Sequence, residues 1–295
     1  MRDDSPSRTA AFVAAARQLG QLLPDEARLV DDPYGAAFTS TRAAGVLERE
    51  TQRLRPLAAM PGVKQWILYM QVRTRLIDDA LAEFLATGAR QVVLLGAGYD
   101  TRALRMPELA DANVFEVDHP ATQGHKRRVL DEIGADSPST YVTWDFEARP
   151  MDDLPDALTD AGLDRADPVF TIWEGVTMYL TEPAIDASLR AIRSWSYAGS
   201  QLAMTYFAKS RITKPSLVTR AMKAVVGAFG EPWKFGWSTD ELPGYLRERD
   251  FELVRDVAMA DAAQALLPPR FASSLVGPDR RFALAAAPES LAIAR

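Results

Sequence analysis

The sequence predicts an α/β fold built on a doubly wound, mostly parallel sheet of about seven strands. Short apolar runs alternate with helix-like stretches between residues 91 and 206, which is typical of right-handed β-α-β crossovers. The run 91–95 ends in Gly96-Ala97-Gly98, a turn that leads into a predicted helix. Two further strand-like runs close the chain.

The individual elements follow from the alternation. Strands are expected at 91–95, 113–117, 140–144, 168–173 and about 200–206, with helices between them at about 101–109, 121–133, 151–162 and 182–195. The closing runs 251–257 and 281–285 suit an antiparallel pair at the edge of the sheet.

Residues 1–90 come before the first strand and are expected to form an N-terminal helical cap, followed by the main domain over 91–295. Apolar residues recur at three- and four-residue steps from Val63 to Phe84. This spacing predicts one long amphipathic helix that carries Arg73 and Arg75. Both arginines could also be solvated surface residues that pair with acids one turn later.

Residues 207–250 break the alternation and are predicted to be a long, mostly helical insertion. Trp233, Phe235 and Trp237 form an aromatic group close to glycines, which favours a lid over a binding site. A packing insertion without substrate contact is the alternative. The pattern Ser238-Thr239-Asp240-Glu241 predicts a capping box at the start of the next helix.

Composition limits the classes of function. The 295 residues suit one large α/β domain with an appendage or two small domains, and 47% are hydrophobic. The net charge of -6 argues against a nucleic-acid partner, because phosphate binding needs a basic surface. There is no cysteine, which excludes disulfides and zinc–thiolate sites and fits a cytoplasmic location. No apolar stretch is long enough to cross a membrane, and we expect no signal peptide.

The glycine turn predicts a nucleotide-type ligand at the carboxyl end of the first strand. Asp118 ends the second predicted strand, about twenty residues after Gly96, where a carboxylate can accept hydrogen bonds from both ribose hydroxyls. Thr101 holds the place of the third glycine of the dinucleotide pattern. This favours a ligand with adenosine but no pyrophosphate. An ordinary strand-to-helix turn is the alternative.

Several segments together resemble one family. They are 92–104 (VVLLGAGYDTRAL), 114–120 (VFEVDHP) with Lys126 beyond, 173–180 (WEGVTMYL), 32–34 (DPY), 73–78 (RTRLID) and 230–233 (GEPW). In this order they resemble the leucine carboxyl methyltransferase family of class I S-adenosylmethionine-dependent methyltransferases. That family includes bacterial O-methyltransferases, some of them in secondary metabolism. The resemblance implies a Rossmann-like domain.

The resemblance also implies roles for individual residues. Those implied for binding S-adenosylmethionine are Gly96, Ala97 and Gly98 beneath the cofactor, Asp118 at the ribose, Asp145 and Phe146 beside the adenine, Glu174 at the methionine portion and Arg73 at its carboxylate. Arg102 or Arg105 could take the place of Arg73. The sequence departs from the family pattern at Val176-Thr177 and at Tyr99.

Each of these side chains also has a structural alternative. Asp145 could cap a helix, Glu174 could be a structural acid at a strand end, and Tyr179 could pack in the core. The catalytic residue stays unknown at this point, with Glu174, Tyr179 and Tyr206 as candidates. Neither His119 nor His125 is expected to act as a general base, which mildly favours a carboxylate acceptor over a hydroxyl.

The predicted function is therefore S-adenosylmethionine-dependent O-methylation of a carboxylate or hydroxyl. The acceptor would be a small molecule, such as a secondary metabolite, or a peptide C-terminus. Two alternatives remain: an NAD(P)-dependent oxidoreductase and an S-adenosylmethionine-binding protein without catalysis. We expect no metal, no nucleic-acid partner and no membrane partner, and the sequence leaves the oligomeric state open.

Overall fold

The computed structural model describes residues 6–215 and 232–288. It contains a seven-stranded sheet in the order β3-β2-β1-β4-β5-β7-β6. The strands are β1 (Gln91–Leu95), β2 (Asn113–Asp118), β3 (Thr140–Thr143), β4 (Val169–Trp173), β5 (Gln201–Phe207), β6 (Glu252–Ala258) and β7 (Arg280–Ala286). The first five strands are parallel, and β7 is antiparallel to both β5 and β6. The predicted fold class and the predicted antiparallel pair at the edge are confirmed.

The described helices surround this sheet. They are α1 (Arg8–Gln18), α2 (Thr41–Arg49), α3 (Thr51–Ala59), α4 (Pro61–Ala86), α5 (Arg102–Arg105), α6 (Pro120–Glu132), α7 (Leu154–Asp160), α8 (Glu182–Trp195), α9 (Lys209–Thr213), α10 (Leu242–Arg247), α11 (Met259–Leu266) and α12 (Pro269–Ala272). None of them is long and apolar enough to cross a bilayer.

The helix predicted at 101–109 is shorter than expected. It ends at Arg105, and Met106 is extended before a short 3-10 turn at Pro107–Leu109. The cause is local, because the ring of a proline excludes the helical conformation from the residue before it.

Helix α4 begins with Pro61 at its first turn and is followed by Gly88, which has a φ of 98°. This is the long helix that the apolar spacing predicted. Its buried face shares one hydrophobic cluster with Val92 and Leu94 of β1 and with Phe170 of β4. Residues before and after the predicted boundary at 90 thus share one core.

The sheet separates two hydrophobic layers. Side chains alternate along each strand, so Val92 and Leu94 face α4, α11 and α12, whereas Val93 and Leu95 face α7, α8 and α10. Because both faces are covered, the central strands are continuously apolar, as the sequence showed.

The described part of the insertion comprises α9, an extended segment at 232–237 and α10. Residues 216–231 lie outside the described residues, and with them the first two residues of the segment GEPW. The capping box is confirmed: the Ser238 hydroxyl accepts from the Glu241 amide at 3.2 Å, and the Glu241 carboxylate accepts from the Ser238 amide at 3.1 Å. A lid function of this region stays a prediction.

Candidate functional site

The glycine turn after β1 requires its glycines. Gly96 and Gly98 have φ values of 70° and 54°, which side chains disfavour. A Cβ at Gly96 would lie 2.8 Å from Val176 Cγ2, and one at Gly98 would lie 3.2 Å from Ala10 Cβ. The amides of residues 96 and 97 donate to the Val117 carbonyl at 2.9 and 3.1 Å, which ties the turn to β2. Both positions therefore need glycine, because a side chain would be strained by the positive φ and would crowd Val176 or Ala10.

Asp118 lies at the end of β2, directly beside this turn. Its carboxylate accepts from the Gly98 amide at 2.5 Å and from the His119 amide at 2.6 Å. Burial raises the pKa of Asp118 to about 6, although both amides favour the charged form. A carboxylate has lone pairs beyond these two bonds, so it can still accept from a ligand hydroxyl.

A buried ion pair supports the turn from behind. The Lys126 ammonium on α6 donates to Glu116 Oε2 and to the Asp100 carbonyl, both at 2.5 Å. Ser139 donates to the other oxygen of Glu116 at 2.8 Å. The resemblance included Lys126 without a role, and the sequence analysis missed Glu116. Its only signal was a charged residue inside an otherwise apolar strand.

Glu174 follows β4 and lies between two guanidinium groups. Its Oε1 is 2.6 Å from Arg73 Nε, and its Oε2 accepts from Arg102 at 2.8 Å. Burial alone would raise the pKa of Glu174, but Arg73 and Arg102 together hold it below the ordinary value. The alternative that both arginines are solvated surface residues is thus wrong for Arg73, which is buried. It is right for Arg75, which pairs with Asp79 at 2.6 Å on the partly exposed side of the helix.

Arg102 and Arg105 are engaged elsewhere. Arg102 also pairs with Asp78 at 2.7 Å and with Asp100, and Arg105 pairs with Asp78 at 2.7 Å. The acids hold the pKa of Arg102 well above its ordinary value despite burial. This network joins α4, α5 and the end of β4, so both arginines are structural ties, and Arg73 is the better candidate for a ligand carboxylate.

The N-terminal helix covers the other side of the glycine turn. Arg17 of α1 donates to Asp32 at 2.8 Å and to the Tyr99 carbonyl at 2.5 Å, and Thr101 donates to the same oxygen of Asp32 at 2.9 Å. All four of these residues are buried. The sequence analysis missed Arg17, since nothing in its local pattern marks an arginine that reaches a turn more than eighty residues away.

Asp145 and Phe146 follow β3, next to the end of β2. Asp145 accepts from the amides of Glu147 and Ala148 at 2.9 and 3.2 Å, so its carboxylate stabilises a turn at 146–148 and, contrary to the alternative, does not cap a helix. The Glu147 amide contributes most to lowering its pKa. Phe146 is 40% exposed, so its phenyl ring is accessible to an apolar partner. Their contact with adenine stays a prediction.

Tyr206 lies on the face of β5 away from Glu174. Its hydroxyl donates to Asp256 at 2.9 Å, and burial raises its pKa. Its neighbour Thr205 accepts from the Gly175 amide at 2.8 Å, which places the other face toward the end of β4. The structure therefore does not bring Tyr206 to the site. Tyr179 packs against the cluster of Met178, Phe207 and Trp233 near that strand end, as the packing alternative expects.

The two histidines have structural partners. His119 accepts from the Ala121 amide at 3.2 Å and begins α6, and its other ring nitrogen is 3.9 Å from Asp145. The ring of His125 lies 3.3 Å from the Phe38 carbonyl. Neither faces the Arg73–Glu174 pair, which agrees with the expectation that neither is a general base.

Comparisons with known proteins agree with this geometry. A family model described as leucine carboxyl methyltransferase matches residues 10–193. A relative from Mycobacterium sp. (strain KMS) is 37% identical over 208 residues, which cover 68% of this chain and 66% of the relative. A relative from Mycolicibacterium gilvum (strain PYR-GCK) is 32% identical over 266 residues, which cover 83% of this chain and 84% of the relative. Both carry the provisional name S-adenosyl-L-methionine-dependent methyltransferase. The chain thus spans slightly less than two thirds of the first relative.

Two solved structures share the fold. A DUF574 family protein from Streptomyces avermitilis has a TM-score of 0.58 at 20% identity and covers 93% of this chain and 97% of its own. A protein from Thermobifida fusca, provisionally described as a methyltransferase, has a TM-score of 0.54 at 21% identity, with coverage of 92% and 97%. With a model match over most of its length and a relative similar along more than four fifths of it, the chain belongs to the leucine carboxyl methyltransferase family.

Proposed function

We propose that this protein is an S-adenosylmethionine-dependent O-methyltransferase that acts on a carboxylate or hydroxyl of a small molecule or of a peptide C-terminus. One observation carries the proposal: the glycine turn with Asp118 and the buried Arg73–Glu174 pair stand at the ends of β1, β2 and β4. Ligands of doubly wound sheets bind at this edge, beside the point where the strand order reverses.

The residues present fit this cofactor. The glycine turn lies directly beside Asp118, whose carboxylate accepts from the Gly98 amide and has further lone pairs for the ribose hydroxyls. The α-amino acid end of the cofactor carries both a carboxylate and an ammonium. Arg73 suits the first and Glu174 the second, because a guanidinium pairs with a carboxylate and a carboxylate with an ammonium; the two side chains lie together, 2.6 Å apart.

When bound, S-adenosylmethionine supplies a methyl group on a positively charged sulfur. The protein's task is to place an acceptor oxygen in line with that methyl and to keep the site dry, since positioning alone can be worth about 7–11 kcal/mol in the best cases. An apolar wall near the end of β4, where Glu174 lies, would exclude water from the site. It is formed by Met178, Phe207 and Trp233.

A carboxylate acceptor needs no general base, whereas an alcohol usually does. Both histidines have other partners, and the hydroxyl of Tyr206 is bonded to Asp256 on the other face. This distribution supports a carboxylate, or a hydroxyl whose own pKa is low.

The test is calorimetry of the purified protein with S-adenosylmethionine and, separately, with NADH. We expect binding in the micromolar range, about -8 kcal/mol, for the first and none for the second. The reverse result would support the oxidoreductase alternative and reject the proposal. Methyl transfer to any member of a panel of carboxylic acids and phenols, read by mass spectrometry, would exclude a protein that only binds the cofactor.

A further inference from the structure

A second group of cationic side chains lies next to Arg73, on the side away from the glycine turn. We call it the arginine pocket and define it by Arg211 of α9, Arg280 at the start of β7, Tyr69 of α4 and Trp233. The Tyr69 ring joins it to the cofactor site: Arg280 Cζ is 4.5 Å from the ring centroid, and Arg73 Cζ is 5.7 Å from it. The pocket therefore adjoins Arg73, which the proposed function places at the amino-acid end of the cofactor.

Arg211 is buried and incompletely neutralised. It is 7% exposed, and its guanidinium carbon lies beside two aromatic rings, 4.9 Å from the centroid of Phe207 and 5.0 Å from that of Trp233. Its Nε has no hydrogen bond in the described part of the chain, and its nearest carboxylate oxygen, on Asp279, is 3.8 Å away. Burial lowers the pKa of Arg211 to about 10, and the charge of Arg280 adds to this effect.

Arg280 adds a second charge without a matching acid. Across residues 6–215 and 232–288, its guanidinium has a contact with the Tyr69 ring but no hydrogen bond or ion pair. Asp279 is the only acid that contributes to the electrostatics of Arg211 there, and it also accepts from the Ser210 hydroxyl. Arg211 thus has one loosely placed carboxylate and Arg280 has none in the described ranges, and a buried cation without a close partner is costly.

We propose that Arg211 and Arg280 bind an anionic group of the methyl acceptor, a carboxylate or a group of similar shape, while Trp233 packs against the acceptor's apolar part. This inference rests on the proposed function. Guanidinium groups suit the task because their planar donors match two oxygens at once. The indole Nε1 of Trp233 also lacks a hydrogen bond in the described residues, so the wall offers a further donor.

The anionic group in this pocket is an anchor and is not the atom that receives the methyl. A carboxylate held by two guanidiniums is stabilised as an anion, and methylation would remove the charge that they bind. Interactions that are stronger in the ground state than in the transition state do not accelerate a reaction. The acceptor therefore carries a second oxygen, an already ionised carboxylate or low-pKa hydroxyl, to which the methyl is transferred as the sulfur takes the bonding electrons.

The experiment compares two probes that differ only in charge, phenylacetate and phenylacetamide, by calorimetry with and without saturating S-adenosylhomocysteine. We expect the wild type to bind phenylacetate at least about tenfold more tightly, a difference of about 1.4 kcal/mol. The preference should fall to within twofold in Arg280→Gln and in Arg211→Gln, which each remove one of the two charges. Arg255→Gln, which removes an exposed arginine from β6, is the matched control and should keep it.

Equal affinity for the two probes would overturn the inference. So would the absence of phenylacetate binding at about 10 mM, a concentration at which even weak complexes form. An unchanged preference for phenylacetate in Arg280→Gln would also overturn the inference. Arg280 is half-buried, so this variant gives the answer even if the Arg211 variant does not fold. Incubation with S-adenosylmethionine should yield no methyl phenylacetate by mass spectrometry. Formation of that ester would overturn the assignment of the anion as an anchor.

The two proposals fail separately. If S-adenosylmethionine does not bind but the preference for the anion remains, the proposed function is wrong and the arginine pocket is the anion site of a different activity. If S-adenosylmethionine binds and the preference is absent, the inference alone is wrong.

Discussion

The carboxyl edge of the sheet has two halves that are built differently. The half around β1 and β2 comes from one short stretch, Gly96 to Lys126, and its polar groups have short hydrogen bonds to one another. The half beyond β4 is assembled from Tyr69, Arg211, Trp233 and Arg280, and its charges are only partly balanced. This contrast is the basis of the two proposals, in which the first half holds the cofactor and the second half takes its counter-charge from the acceptor.

Glu174 lies where the two halves meet, and its loss should have the largest effect. Glu174→Gln would leave Arg73 and Arg102 buried without their shared anion, which costs about 3–5 kcal/mol in comparable pairs. We expect this loss in the free energy of unfolding from urea titration, together with loss of S-adenosylmethionine binding. Glu108→Gln, at an exposed acid, is the control and should unfold like the wild type. A stable Glu174→Gln protein with full cofactor affinity would show that Glu174 is only a strand-end acid.

The second prediction concerns the Lys126–Glu116 ion pair in the half around β1 and β2, and separates its effect on stability from its effect on the position of the glycine turn. Lys126→Met should cost about 3 kcal/mol of stability, because it leaves Glu116 buried and unpaired. In the double variant Glu116→Met/Lys126→Met both charges are gone, and the free energy of unfolding should return close to that of the wild type. Cofactor affinity should stay reduced about tenfold, ~1.4 kcal/mol, in both, since the Asp100 carbonyl has lost its donor and the turn is no longer held.

If the double variant recovers both S-adenosylmethionine affinity and stability, the Glu116–Lys126 pair has only a structural role. Calorimetry with S-adenosylmethionine and urea unfolding of the same two samples make the distinction.

The contrast between the halves also explains how far sequence reasoning reached. The turn, Asp118 at a strand end and the positions of the strands follow from patterns of a few neighbouring residues, so they could be predicted. Arg211 and Arg280 meet only because β7 inserts between β5 and β6, and no local pattern reports that pairing. Arg17 and Glu116 were missed for the same reason, since each acts through a contact made by the tertiary fold.

The third prediction concerns the pH response of the first half. With a folded-state pKa of about 6, Asp118 is protonated below that pH and then accepts fewer bonds from ribose hydroxyls. Affinity for S-adenosylmethionine should therefore fall about tenfold between pH 7 and pH 5. Asp118→Asn should bind weakly, with little change over that range. Affinity that is independent of pH in the wild type, measured by calorimetry, would place the ribose elsewhere.

Stability should respond to pH in the opposite sense. A raised pKa means that the folded state holds the proton more tightly than the unfolded state does. The contribution of Asp118 to the free energy of unfolding is therefore present below about pH 4 and is lost as the pH rises to about 6. Urea unfolding of wild type and Asp118→Asn at these two values checks the sign, and a contribution that grows with pH would contradict it.

The smallest expected effect compares two arginines that helical spacing alone could not tell apart. Arg73 and Arg75 stand two residues apart on α4, and Asp78 and Asp79 follow them on the same helix. Arg75→Gln removes a partly exposed pair with Asp79 and should change the free energy of unfolding by less than about 0.5 kcal/mol. Arg73→Gln should abolish cofactor binding, because that side chain is buried against Glu174. Since both changes remove the same charge from the same helix, equal effects in calorimetry and urea unfolding would mean that burial at the strand end does not set the role of Arg73.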